Sequence, residues 1–303
     1  MGKSIMITSF KGGVGKSTIA VNLAIGFAVN KYKVLITDID ASSGSIDLFM
    51  GCESDTIYNV CDVIEGRVKI EDAVYVKKSN KNPNRKNSRA SASSVSSAPP
   101  GTEGQGADSS GELYYSVDVL KSPSSYDLTK FSEQEISDFI NKAKEIYDFV
   151  IFDCPSGKFA FFDSLAKYTD YIFVITLHSA ASIRASEKMA LLLSENGSDG
   201  EKVRLIINCF NPKGIAKGLN LGIVEIIERS KIKLIGLIET NYMLRDYQEI
   251  GKTAYDVRTR RLRVFFDDIV GRILESNIIL NRKYDGIRTN NLYFKKEAKG
   301  AKI

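Results

Sequence analysis

Short apolar, β-branched runs recur along the chain at positions 4–10, 33–38, 149–153, 171–177, 204–209 and 233–238. Most of them do not alternate apolar with polar residues, which is the pattern of strands buried on both faces of a parallel sheet. Stretches of helical period lie between them. Ser132 and Glu135 have the spacing of a capping box, and Ile136, Phe139, Ile140 and Ala143 follow on one helical face. This alternation predicts an α/β protein with a doubly wound, mostly parallel sheet and helices on both faces.

One stretch breaks the pattern. Residues 79–112 hold nine serines in 34 positions, Pro99-Pro100, several glycines and almost no large apolar side chain. Such a segment buries too little surface to offset its ordering entropy, so a disordered insertion is expected inside a single domain spanning 1–281. Apolar positions resume from Leu113 with the run LYYSVDVL. The basic residues at the front of the insertion (Lys77, Lys78, Lys81, Arg85, Lys86 and Arg89) read as a solvated loop.

Composition narrows the class. With 303 residues, 43% hydrophobic and 26% charged, the chain has a globular core, and collagen-like, coiled-coil or wholly disordered structure is excluded. The net charge is +5, and the tail at 282–303, with seven basic residues against Asp285 and Glu297, accounts for all of it. Residues 1–281 therefore sum to zero, the body is not uniformly basic, and DNA is not an expected partner. The longest charge-free apolar stretches, 17–30 and 171–183, are shorter than a spanning helix needs, and no signal peptide is visible, so a cytoplasmic protein is expected. The four cysteines form no C-x-x-C pair, which argues against zinc or iron–sulfur ligation. The single histidine, His178, reads as a core or strand-end residue.

The strongest chemical signal is Lys11-Gly12-Gly13-Val14-Gly15-Lys16-Ser17-Thr18, placed between an apolar strand and a helical run. That is the setting of a phosphate-binding loop. Glycines let the backbone curl so that successive N–H groups face phosphate oxygens, and the helix starting near Lys16 adds the positive end of its dipole. Lys16 would pair with the β- and γ-phosphates of ATP, and the Ser17 hydroxyl would complete a Mg²⁺ shell. Asp38 and Asp40 close the second strand, and Asp153 closes a later one, within Asp153-Cys154-Pro155-Ser156-Gly157. Ligands in open α/β sheets sit beyond the carboxyl ends of the strands, so the three carboxylates are expected to converge on the nucleotide.

A lysine ahead of the two glycines, giving K-G-G-x-G-K-S-T, resembles the deviant Walker A signature of the ParA/MinD family of ATPases. The resemblance covers residues 3 to about 280, and the stretches at 46–53 and 57–64, with Asn211-Pro212, the run 236–239 and Leu244-Arg245, are similar to its MinD branch. It implies an ATP-dependent homodimer in which Lys11 reaches the partner's ATP, as an arginine finger does. By the same resemblance Asp153 holds Mg²⁺, Gly157 senses the γ-phosphate, Asp40 orients the attacking water and Asn208 reads adenine. The implied function is a slow, partner-stimulated ATPase switch in division-site placement. Its implied partners are a division inhibitor, an activator of hydrolysis and an anionic membrane surface, with a peripheral position on the inner face of the cell membrane. Two departures stand out. Ser42-Ser43-Gly44-Ser45 replaces the branch's usual Gly-x-Arg-Asn, and the tail around Leu292, Tyr293 and Phe294 lacks an apolar helical stripe. A ParA-like or flagellar-number positioning ATPase, or a nucleotide-binding scaffold of low turnover, remains an alternative.

Overall fold

The computed structural model describes residues 1–41, 44–52, 57–79, 114–122 and 130–275. The expected insertion beyond Ser79 and the basic tail therefore lie outside the described residues. Eight strands form one sheet in the spatial order β3-β4-β2-β5-β1-β6-β7-β8. They are β1 (Lys3–Ser9), β2 (Val34–Asp38), β3 (Tyr75–Ser79), β4 (Tyr115–Leu120), β5 (Phe149–Ser156), β6 (Tyr171–Leu177), β7 (Val203–Phe210) and β8 (Lys233–Glu239). Every neighbouring pair is parallel except β3 with β4.

The uniform apolar runs are explained by two cores, one on each face of the sheet. On β5, Val150 and Phe152 join one cluster while Phe149 and Ile151 join the other. Successive strand residues point to opposite faces, so a strand covered on both sides must be apolar throughout. One face packs on α5 (Glu133–Ile146), α6 (Phe162–Tyr168), α7 (Ala180–Glu195) and α9 (Ile223–Ser230). The other packs on α1 (Lys16–Val29) and α11 (Arg260–Ile273), with α2 (Ile46–Met50) and α10 (Tyr242–Gln248) at its upper rim. Short helices α3 (Val60–Ile64), α4 (Ile70–Ala73) and α8 (Pro212–Ala216) complete the connections. Ten consecutive residues of α1, from Ile19 to Ala28, are buried, because the helix is held between the sheet and α11. Ser132 caps α5 through a capping box with Glu135, as the spacing predicts.

Two differences from the sequence reading concern the sheet edge. The run after Leu113 is strand β4, whose Tyr115, Val117 and Val119 face the core in alternation. Ser79, placed in the insertion by composition, is the last residue of β3 and its carbonyl accepts the Tyr114 N–H at 2.8 Å. Strand β3 escaped notice because it is a short edge strand carrying Lys77 and Lys78, the residues that protect an open edge from further pairing. His178 follows β6, buried, stacked on Phe210, and accepts the Asn211 N–H at Nδ1 (3.0 Å).

Candidate nucleotide-binding site

The site forms where β1, β2 and β5 end. After Ser9 the chain turns through the glycine loop, with Gly13 and Gly15 in the left-handed region at φ 71° and 93°. A side chain at Gly15 would also collide with the Asn208 amide, so both backbone conformation and space demand glycine there. The loop is tied on both sides. The Ser9 hydroxyl donates to the Lys11 carbonyl at 2.7 Å, and Asn208 Nδ2 donates to the Val14 carbonyl at 2.8 Å. Helix α1 then starts at Lys16 with no acidic residue in its first turn, which leaves its N-terminal N–H groups and dipole available to an anion. Lys16 Nζ donates to Ser156 Oγ at 2.8 Å. Ser156 was not singled out from the sequence, although its place three residues after Asp153 was the available signal.

Below the loop two acids are neighbours in register, Asp38 on β2 against Asp153 on β5, and both are buried. Burial raises the Asp153 pKa, and the Asp38 charge adds to the rise; a hydrogen bond from Ser17 and the Lys16 charge oppose it. Burial likewise raises Asp38, against hydrogen bonds from backbone N–H groups. Asp153 Oδ1 is buried with no hydrogen-bond partner among the described residues. An orphaned carboxylate oxygen beside a P-loop serine hydroxyl is a hard-oxygen donor pair, and it fits Mg²⁺.

Asp38 is held by its own loop. Its carboxylate accepts the N–H groups of Asp40 (2.8 Å), Ser45 (3.0 Å) and Ile46 (3.4 Å), so it braces the loop that leads into α2. The Gly157 N–H donates to the Ser9 carbonyl at 2.8 Å. Asn208 stands in the cleft, yet its amide is committed to backbone, donating to Val14 and accepting the Cys209 N–H at 2.9 Å. A fixed amide of this kind supports the loop before it reads a base.

A cleft of about 530 Å³ opens above these groups, a size suited to a nucleotide. Gly13, Val14, Gly15, Lys16, Ser17, Thr18, Asp40 and Asn208 line it. Lys11, Gly12, Asp38, Asp153 and Gly157 do not. Lys11 is exposed, with no carboxylate paired to it among the described residues. The opposite wall is made of Phe49, Leu244, Arg245, Gln248, Arg261 and Phe265; Phe49 and Leu244-Arg245 were noted in the sequence only for their family likeness, and the wall's role was not read from it.

Comparison with known proteins bears on this arrangement. A family model described as an AAA domain matches residues 2–96. The septum site-determining protein MinD of Bacillus subtilis is 26% identical over 280 residues, covering 92% of each chain. The chain is similar to MinD along 92% of its length. Among solved structures, the MinC:MinD cell division protein complex of Aquifex aeolicus has a TM-score of 0.72 at 22% identity, covering 93% of this chain and 99% of that one. MinD complexed with Mg-ADP from Pyrococcus horikoshii has a TM-score of 0.67 at 19% identity, covering 90% and 96%. At these identities the structural likeness is one of fold, the doubly wound P-loop fold of MinD. The likeness to MinD, first read from stretches such as 46–53 and 57–64, thus extends along nearly the whole chain. Among the described residues, no helix is long and apolar enough to cross a membrane.

Proposed function

We propose that the chain is an ATP-dependent dimerising switch ATPase that acts, like its MinD relatives, in placing the division site, at an anionic membrane surface. One observation carries the reading. The loop presents two lysines in different settings, Lys16 held on Ser156 and Lys11 exposed outside the cleft. A lysine that serves its own subunit and another free to serve a partner subunit are what a nucleotide-bridged dimer uses.

In the proposed mechanism the N–H groups of Gly13 through Thr18 cradle the phosphates and Lys16 leaves Ser156 to bind the β- and γ-phosphate oxygens. Ser17 and Asp153 would hold Mg²⁺, which supplies charge neutralisation across the phosphate oxygens. Asp40, on the cleft wall, orients the attacking water. Lys11 of one subunit stabilises charge developing on the other subunit's nucleotide, a preorganised cation acting where water is excluded. Hydrolysis then removes the bridging phosphate and releases the dimer. The structural likeness to the MinC:MinD cell division protein complex of Aquifex aeolicus supports a division inhibitor as partner. The seven basic residues at 282–303 support attraction to anionic lipid, and two tails on one dimer would bind together.

The test is ATP hydrolysis with and without anionic liposomes or DNA, together with liposome sedimentation. The reading predicts slow Mg²⁺-dependent hydrolysis and more protein on liposomes with ATP than with ADP. Recruitment to DNA in place of liposomes would move the assignment to a partition-type ATPase, and bound ATP without turnover would make it a scaffold.

A further inference from the structure

Gln248, the last residue of α10, is 3% exposed. Its Oε1 accepts the Thr18 hydroxyl at 2.9 Å, while its Nε2 is buried with no hydrogen-bond partner among the described residues. Both residues line the nucleotide cleft. An unpaired buried amide is costly, and such groups in native proteins call for an explanation. The helix that carries it is fixed in place. Asn241 caps its start by accepting the Met243 N–H at 3.0 Å, and Gly251, just beyond its end, packs backbone to backbone against Gly51.

Position along the loop says which part of a ligand this amide meets. Lys16 and Ser17 serve the β- and γ-phosphates and Mg²⁺ in the reading above. Thr18 is the next residue, on the side where the α-phosphate and sugar leave the loop. We propose that Gln248 Nε2 donates a hydrogen bond to the α-phosphate while its Oε1 orients Thr18, so that α10 grips the sugar-proximal end of the nucleotide. The inference rests on the P-loop reading. A neutral donor suits an oxygen that only accepts, and ATP and ADP share the α-phosphate, so the contact adds affinity for both without favouring either.

The experiment is calorimetric titration of Gln248→Met and Gln248→Glu with ATP, ADP and inorganic pyrophosphate, alongside Lys16→Ala. Loss of one hydrogen bond to a charged group predicts a fall of about tenfold in ATP and ADP affinity for Gln248→Met. Gln248→Glu keeps an acceptor for Thr18 but sets a negative charge against the phosphate, and should lose more. Pyrophosphate fills the positions served by Lys16 and Ser17 and brings no α-phosphate, so it should bind both variants as it binds the wild type, and KM for ATP should rise with kcat unchanged. Unchanged ATP and ADP affinity in both variants would overturn the proposal. So would an equal loss for pyrophosphate, because Gln248 would then act only through the shape of the loop. If the P-loop reading itself fails, Lys16→Ala leaves pyrophosphate binding intact; if only this inference fails, Lys16→Ala abolishes it.

Discussion

The two walls of the cleft are built in opposite ways. The near wall is six consecutive residues, 13–18, whose backbone is set by two left-handed glycines and the start of α1. The far wall is side chains gathered from α2, α10 and α11, between Phe49 and Phe265. Backbone N–H groups aimed by a strained loop either all point at the ligand or do not, so the near wall governs whether nucleotide binds at all. Side chains on separate helices each add a contact, so the far wall adjusts affinity in steps.

The largest break in that contrast is Lys16→Ala. It removes the one cation held inside the loop, and ATP affinity should fall about a hundredfold or more, at the upper end of what a charged hydrogen bond supplies. Calorimetry with circular dichroism as a fold control checks it; retained affinity in a folded protein would remove the near wall's role. Gly15→Ala comes next. A left-handed alanine costs about 1–2 kcal/mol, and its Cβ would also displace the Asn208 amide from Val14. A fall of several degrees in melting temperature and roughly tenfold weaker ATP binding are expected. Gly197→Ala sharpens the comparison, since Gly197 has φ 69° but nothing near its Cβ; it should lose stability alone.

A smaller effect of opposite sign is expected from Asp153→Asn without nucleotide or Mg²⁺. The substitution removes a buried charge beside Asp38, and the melting temperature should rise by a few degrees. Because burial raises the Asp153 pKa, its cost is absent below the ordinary carboxylate range, grows as pH rises toward the raised value and is constant above it. The variant's advantage should therefore widen as pH rises toward that value and then hold. The same variant should lose any Mg²⁺-dependent gain in ATP affinity. An equal melting temperature at every pH would show that Asp153 carries no strain.

The near wall was legible because its chemistry is local: strand, glycines, lysine and helix lie within twenty residues. Strands β1, β2, β5, β6, β7 and β8 were legible for a related reason, since burial on both faces leaves an unbroken apolar run in each. Strand β3 was not, because an edge strand with Lys77 and Lys78 has no such signature. The acids show the limit of reading residues at strand ends. Asp38 ends β2 as expected, while β5 runs three residues beyond Asp153; the two pair in register, yet one is occupied by the N–H groups of its own loop while the other keeps an unpaired oxygen. Asn208 was named for adenine, but its partner Val14 lies 194 residues away, a pairing that only the sheet order creates. Gln248 lies 230 residues from its partner Thr18 and belongs to no motif of its own. Contacts that depend on how distant strands are ordered leave no pattern along the chain.

The central claim is that two copies close on ATP with Lys11 acting across the interface. Light scattering of wild type, Lys11→Ala and Asp40→Ala, each with ATP and with ADP, tests it most directly. The account predicts that wild type doubles its mass with ATP and not with ADP, that Lys11→Ala binds ATP yet stays monomeric, and that Asp40→Ala remains a long-lived dimer. A Lys11→Ala protein that doubles its mass as wild type does, or a wild type that stays monomeric with ATP bound, would contradict it.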